Sequence, residues 1–174
     1  FVSWLYIQHV FYQYILIFRE NFIVKIVVLK FGGTSVGTIE KIKKVAEIIK
    51  TYKKKKYKVI VVSSALSGVT NELIKKSKDV SENFSEAECD VLLSTGEQVA
   101  CSLVAGRLIH IGLKARSWLA WQIPIITKGS FGNSRINLIY KNKILNYLQQ
   151  GGIPVVTGFQ GINADARITT IGRS

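Results

Sequence analysis

Residues 26–36 read Ile26-Val27-Val28-Leu29-Lys30-Phe31-Gly32-Gly33-Thr34-Ser35-Val36, and this stretch decides the fold. An apolar run that gives way to a lysine, two glycines and two hydroxyls is a buried strand delivering the chain into a tight turn. Without a Cβ, Gly32 and Gly33 can turn their N–H groups toward one point and let a ligand approach the backbone. Thr38 with Glu40 opens a helical pattern, so the turn is expected at a helix N-terminus, where anions bind favourably. Strand, glycine turn and helix, with a lysine closing the strand, form a layout that handles phosphate. It is not the common P-loop. Gly32 and Gly37 have the P-loop glycine spacing, but Thr38-Ile39 stands where Lys-Ser/Thr is required, and the lysine precedes the glycines.

Outward from this stretch the pattern alternates strand and helix. Apolar runs predict strands at 23–29, 59–62, 113–117, 123–127, 154–157 and 168–171. Helical periodicity covers 38–51, 72–78, 86–110 and 138–150, the last closed by Gly151-Gly152; 128–135 reads as a Gly/Ser/Asn loop. Gly96 inside the long helix marks a break or a close contact. This order predicts an α/β three-layer sandwich, a mostly parallel sheet with helices on both faces. Ligands in such sheets bind beyond the carboxyl ends of the strands. The turns at 30–35, 64–70 and 158–161 are therefore expected to line one crevice.

The chain has 174 residues, enough for one domain with a real core. Residues 1–18 contain almost no charge, but Gln8, His9 and Gln13 interrupt them, and no basic start or small-residue cleavage site marks a secretory signal. These features argue against a membrane anchor. The expectation is an apolar extension over 1–22, lying upstream of a domain at 23–174, in a cytoplasmic protein. Cys89 and Cys101 fit no metal-ligand spacing and read as buried free thiols, and His9 and His110 stand in no catalytic motif. The net charge of +13 is dominated by lysines, including the run Lys53-Lys54-Lys55-Lys56. No arginine accompanies that run, although Tyr52 and Tyr57 flank it, and it reads as a solvated connection between a helix and the next strand rather than a nucleic-acid surface.

A phosphoryl-transfer site needs positive charge and backbone donors around the moving group more than it needs covalent help. Lys30 and the glycine turn supply both. No histidine is placed to act as a general base. That suits a carboxylate acceptor, which at a pKa of about 3.9 is already ionised at neutral pH. A lysine closing a buried apolar strand is also expected to need an anionic partner.

The segments KFGGTSVG, VVSSALSGVTN, STGEQVA, KARSWLAWQIPI, VVTGFQGI and ITTIGR, in this order, resemble the aspartate kinases of the amino-acid kinase family, from about Val24 to Ser174. The resemblance implies phosphoryl transfer from MgATP to the side-chain carboxylate of L-aspartate, giving 4-phospho-L-aspartate. It implies ATP, with Mg2+ carried by the nucleotide, and a homo-oligomer for the complete family enzyme. By position, Lys30 matches the catalytic lysine, and Gly32, Gly33, Thr34 and Ser35 match the phosphate-facing turn. Ser64, Ala65 and Thr70 match positions around the substrate side-chain carboxylate. Glu97 matches the carboxylate that pairs with the substrate ammonium, Phe159 a wall of the aspartate site, and Arg173 the arginine that holds the α-carboxylate. Each also has a plainer role open to it: Ser64 and Thr70 as caps of a helix near Asn71, Glu97 and Arg173 as solvated side chains. Trp118 and Trp121 read as packing residues. In the family ITTIGR runs on into Gly-Gly-Ser-Asp, whereas here Ser174 follows Arg173 directly, and no methionine occurs anywhere. The expectation is therefore a C-terminally truncated, N-terminal part of such a kinase. Its rivals are a non-catalytic remnant that folds poorly or only with a partner chain, and a basic binding module.

Overall fold

In the computed structural model the described residues are 13–19 and 22–172, with side chains described from residue 25 onward. The chain runs β1 (Gln13–Arg19), β2 (Phe22–Phe31), α1 (Gly33–Val36), α2 (Ile39–Lys54), β3 (Lys58–Ser63), α3 (Val69–Val80) and α4 (Glu86–His110). It continues through β4 (Ala115–Trp118), β5 (Ile125–Lys128), β6 (Arg135–Ile139), α5 (Asn142–Gln149), β7 (Ile153–Thr157), β8 (Gln160–Ile162) and β9 (Ile168–Thr170).

The main sheet has the order β1-β2-β3-β7-β4. β2, β3, β7 and β4 are parallel, and β1 joins the edge antiparallel to β2, pairing Leu16 with Lys25. Residues 1–12 of the expected N-terminal extension lie outside the described residues, whereas 13–19 form this edge strand. A smaller sheet, β6-β5-β8-β9, is mostly antiparallel and stands beside the first.

Strand alternation divides the core in two. Val27, Leu29 and Phe31 of β2 and Val59 and Val61 of β3 point to one face, where Ile42, Val45, Ala46 and Ile49 of α2 and Ala100, Cys101, Val104 and Leu108 of α4 cover them. Ile60 and Val62 point to the other face, packing with Trp118, Ile123, Ile144, Leu148 and Val156 around α5. β7 is buried along its whole length, as a strand covered on both faces must be. The α/β sandwich with a mostly parallel sheet is thus the observed architecture.

Several local expectations are corrected. β6 is a fully exposed edge strand where a loop and a helix start were expected, because Ile136, Leu138 and Ile139 fit a helical period as readily as a strand. Gln160 and Gly161, read as part of the turn at 158–161, belong to β8 (Gln160–Ile162). α4 runs unbroken through Gly96, which marks a close contact instead. Trp118 is buried, but Trp121 is 54% exposed and does not pack. Cys101 is a buried free thiol as expected, donating to the Val155 carbonyl, whereas Cys89 is only half-buried. The lysine run closes α2 and its following turn, with Lys53 Nζ donating 3.3 Å to the Gly151 carbonyl.

Candidate active site

The carboxyl ends of β2, β3 and β7 are laced together by backbone hydrogen bonds. Ser64 N–H donates to the Phe31 carbonyl at 3.0 Å, and Gly158 N–H donates to the Ser63 carbonyl at 2.9 Å. Three turns that are far apart in sequence therefore meet at one end of the sheet. They enclose a cavity of about 320 Å³ lined by Gly33, the 64–68 loop, Thr70, Asn71, Glu97 and Phe159. This is the crevice that the strand order called for.

The glycine turn does not pass directly into the long α2. It forms a separate single turn, α1, in which Ser35 N–H and Val36 N–H close onto the Gly32 carbonyl. Thr38 then caps α2, its hydroxyl accepting from Lys41 N–H at 3.3 Å. The two glycines do different work. A Cβ at Gly33 would stand 2.9 Å from the Ala65 carbonyl oxygen, so Gly33 lets the first two turns pack together. A Cβ at Gly32 would meet nothing within 4 Å, so there is free space beside its half-buried backbone.

Lys30 is exposed at the end of β2, in register with Val62 of β3. The expectation of a costly buried ammonium is corrected here: its neighbours Leu29 and Phe31 take the core side, and alternation turns Lys30 to the other face, where it keeps its water. Thr34 is exposed and Ser35 half-buried on α1; neither lines the cavity.

The second turn is organised by Glu97. Its carboxylate, on a residue only 2% exposed, accepts a 3.1 Å hydrogen bond from Ala65 N–H. Gly96 makes that approach possible, since a Cβ there would lie 3.0 Å from Ala65 Cβ and 3.2 Å from Val69 Cγ1. Glu97 is thus not a surface glutamate. Nor do Ser64 or Thr70 cap α3, whose N-cap is Gly68 at φ 85°. Phe159 forms the far wall in the left-handed region at φ 60°, a conformation that costs energy for a bulky side chain and is held by neighbouring structure. Ile171 N–H donates to the Phe159 carbonyl at 2.9 Å. Of the residues singled out by sequence, Gly33, Ser64, Ala65, Thr70, Glu97 and Phe159 share the cavity. Lys30, Gly32, Thr34 and Ser35 do not line it, and Arg173 falls outside the described residues.

Sequence reasoning passed over Asp90 and Gln160. Both are 1% exposed and tied to distant backbone: Gln160 Nε2 donates to the Ser94 carbonyl at 3.1 Å, and Asp90 accepts from Gly132 N–H and Thr170 N–H. A helical wheel carries the signal for Asp90, because positions 90, 94, 97 and 101 fall on one face of α4 together with the buried Cys101.

The comparisons with known proteins agree with this geometry. The family described as "Amino acid kinase family" matches residues 25–174. The chain is 46% identical over 151 residues to an aspartokinase of Rickettsia conorii, covering 85% of this chain and 38% of that protein. Among solved structures, the aspartate kinase from Synechocystis aligns with a TM-score of 0.70 at 39% identity, over 85% of this chain and 24% of that one. E. coli aspartokinase III, solved with aspartate and ADP, aligns with a TM-score of 0.70 at 22% identity, over 85% of this chain and 43% of that one, and shares the fold. The chain therefore spans well under half the length of these relatives, and by sequence and by fold it belongs to the amino acid kinase family.

Proposed function

We propose that this chain carries the aspartate-binding part of a kinase that transfers the γ-phosphoryl group of ATP to the side-chain carboxylate of L-aspartate, giving 4-phospho-L-aspartate. The observation that carries the reading is the buried Glu97 carboxylate at a cavity where the turns after β2, β3 and β7 meet. A zwitterionic amino acid needs an anion for its ammonium group and donors for its carboxylates. Glu97 supplies the first, and the hydroxyl and amide groups of Ser64, Ala65 and Thr70 supply donors for the reacting carboxylate. Phe159 closes the wall, and Arg173, two residues beyond the Ile171 bridge to Phe159, is assigned the α-carboxylate, for which its bidentate fork is suited.

The chemistry requires little proton transfer. The side-chain carboxylate oxygen attacks the γ-phosphorus, the bond from that phosphorus to the bridging oxygen breaks, and ADP leaves with the electron pair. No general base is needed, since the nucleophile is ionised at neutral pH. Negative charge builds on the transferring group; in this reading the exposed Lys30 ammonium at the end of β2 offsets it, and the Gly32-Gly33 turn and the hydroxyls of Thr34 and Ser35 receive the phosphates. The openness around Gly32 fits a polyphosphate that must approach the backbone closely. Mg2+, arriving with the nucleotide, would neutralise its β- and γ-phosphate oxygens. The assignment of the domain to residues 23–174, a homo-oligomeric complete enzyme and a cytoplasmic location belong to the same reading. Among the described residues no helix is long and apolar enough to cross a membrane.

A second reading, aspartate binding without turnover, is favoured by one observation: Glu97, Ser64, Thr70 and Phe159 line the cavity, whereas Lys30, Thr34 and Ser35 do not. Hydroxylamine trapping separates the two. Hydroxamate that depends on both ATP and L-aspartate supports the kinase. Saturable aspartate binding without hydroxamate supports the second reading, and binding of neither substrate contradicts both.

A further inference from the structure

One face of α4 presents Asp90, Ser94 and Glu97, all buried, at helical spacing. Each of these residues holds a different distant segment. Glu97 takes Ala65 N–H from the loop after β3, the Ser94 carbonyl takes the Gln160 side chain from β8, and Asp90 takes both β9 and the loop at 129–134.

The Asp90 contacts use the carboxylate fully. Oδ2 accepts from Thr170 N–H at 2.8 Å and from Gly132 N–H at 3.0 Å; Oδ1 accepts from Gly132 N–H at 3.1 Å and from the Thr170 hydroxyl at 2.5 Å. Among the described residues the ion pairs are Lys76–Glu72 and Arg167–Glu88, so N–H and O–H dipoles, not a described cation, answer the Asp90 charge. A buried carboxylate is retained only where such partners hold it, and hydrogen bonds to a charged acceptor are the strong ones.

What Asp90 gathers stands around the proposed pocket. Asp90, Gly132 and Thr170, with Leu93 and Phe131, line a second cavity of about 340 Å³, and Phe159 belongs to both cavities. From Thr170 the chain passes to Ile171, whose N–H holds the Phe159 carbonyl, and to Gly172, whose N–H donates to the Ser134 carbonyl at 3.0 Å. Pulling Thr170 and Gly132 onto α4 therefore fixes, one residue further on, the strained Phe159 that lines both cavities.

We propose that Asp90 is a positioning residue of the aspartate pocket: it latches β9 and the 129–134 loop onto α4 and so sets the Phe159 wall. The proposal rests on the aspartate reading given above.

The test pairs amide hydrogen exchange of the ligand-free protein, resolved by residue, with titration by L-aspartate. In Asp90→Ala, exchange at Gly132 and Thr170 rises by roughly tenfold or more, while the amides of Val61 and Val104 stay as in the unsubstituted protein. The dissociation constant for L-aspartate rises about tenfold, in line with loss of hydrogen bonds to a charged group. Asp90→Asn keeps an acceptor for Thr170 N–H and can donate to its hydroxyl, so its affinity returns to within about threefold of the original. Should Asp90→Ala not fold, Thr170→Val removes only the hydroxyl contact and is expected to weaken aspartate about threefold. Unchanged exchange at both amides, or raised exchange with unchanged affinity, overturns the positioning role alone. An unsubstituted chain that protects Gly132 and Thr170 yet binds no aspartate sinks the aspartate reading, and the role of Asp90 in that pocket with it.

Discussion

Glu97 and Ala65 are joined across 32 residues of sequence: the buried carboxylate on α4 accepts a 3.1 Å hydrogen bond from the backbone N–H that opens the loop after β3. The contact makes Glu97 both a brace and a charge. One carboxylate oxygen fixes the loop that carries Ser64 and Thr70, and the carboxylate also lines the cavity between that loop and Phe159.

The two roles separate on substitution. Glu97→Gln retains an oxygen to accept from Ala65 N–H but loses the charge, so aspartate binding is expected to weaken at least about tenfold with little change in melting temperature. Glu97→Ala leaves a buried N–H unsatisfied and is expected to destabilise by about 1–3 kcal/mol as well. Calorimetric titration and thermal melts of both variants check this. Equal loss of stability in the two would assign Glu97 a purely structural role.

The two glycines of the first turn are expected to respond differently. Gly33→Ala drives a Cβ to 2.9 Å from the Ala65 carbonyl, so it costs about 1–3 kcal/mol in a denaturant melt. Gly32→Ala meets nothing and has ordinary φ, so its stability stays within about 0.5 kcal/mol of the original. Nucleotide binding is where Gly32→Ala should show its effect.

Lys30 is exposed, so Lys30→Met is expected to leave the melting temperature almost unchanged. In the hydroxamate assay it should lower kcat by about 10²–10³-fold, with the KM for aspartate moving little, as for loss of a charge that acts on the transition state. A change confined to KM would remove Lys30 from the catalytic role.

Burial pushes the Cys101 thiol up to about 12. A thiol raised in the folded state binds its proton there while the unfolded chain releases it, so stability is full below about pH 9 and declines from there toward pH 12. Cys101→Ala should show a shallower loss than the unsubstituted protein over that window in denaturant melts. Maleimide labelling of the native protein should reach the half-buried Cys89 and spare Cys101.

Much of this was legible because it is local. An apolar run ending in Lys30-Phe31-Gly32-Gly33 states strand and turn within one window, and the strand order then brings the turns together. Glu97 was legible only through the resemblance of its segment, since an isolated glutamate in a helix reads as a surface residue. Asp90 was missed for the same reason, and its partners lie 42 and 80 residues away, where no window reaches. β6 was misread because its apolar residues serve neither a buried face nor a helix; they stand on an exposed edge. Lys30 was placed correctly along the strand but wrongly in depth, because periodicity shows which side a residue takes and not whether anything covers that side.

The central claim is that the cavity between Glu97, the 64–68 loop and Phe159 recognises an amino acid through its ammonium group. Calorimetric titration of the purified protein with L-aspartate, and separately with succinate, which lacks that ammonium, tests it most directly. Saturable binding of L-aspartate, with succinate weaker by about tenfold or more, is the predicted result. Equal affinity for the two, or binding of neither, would contradict it.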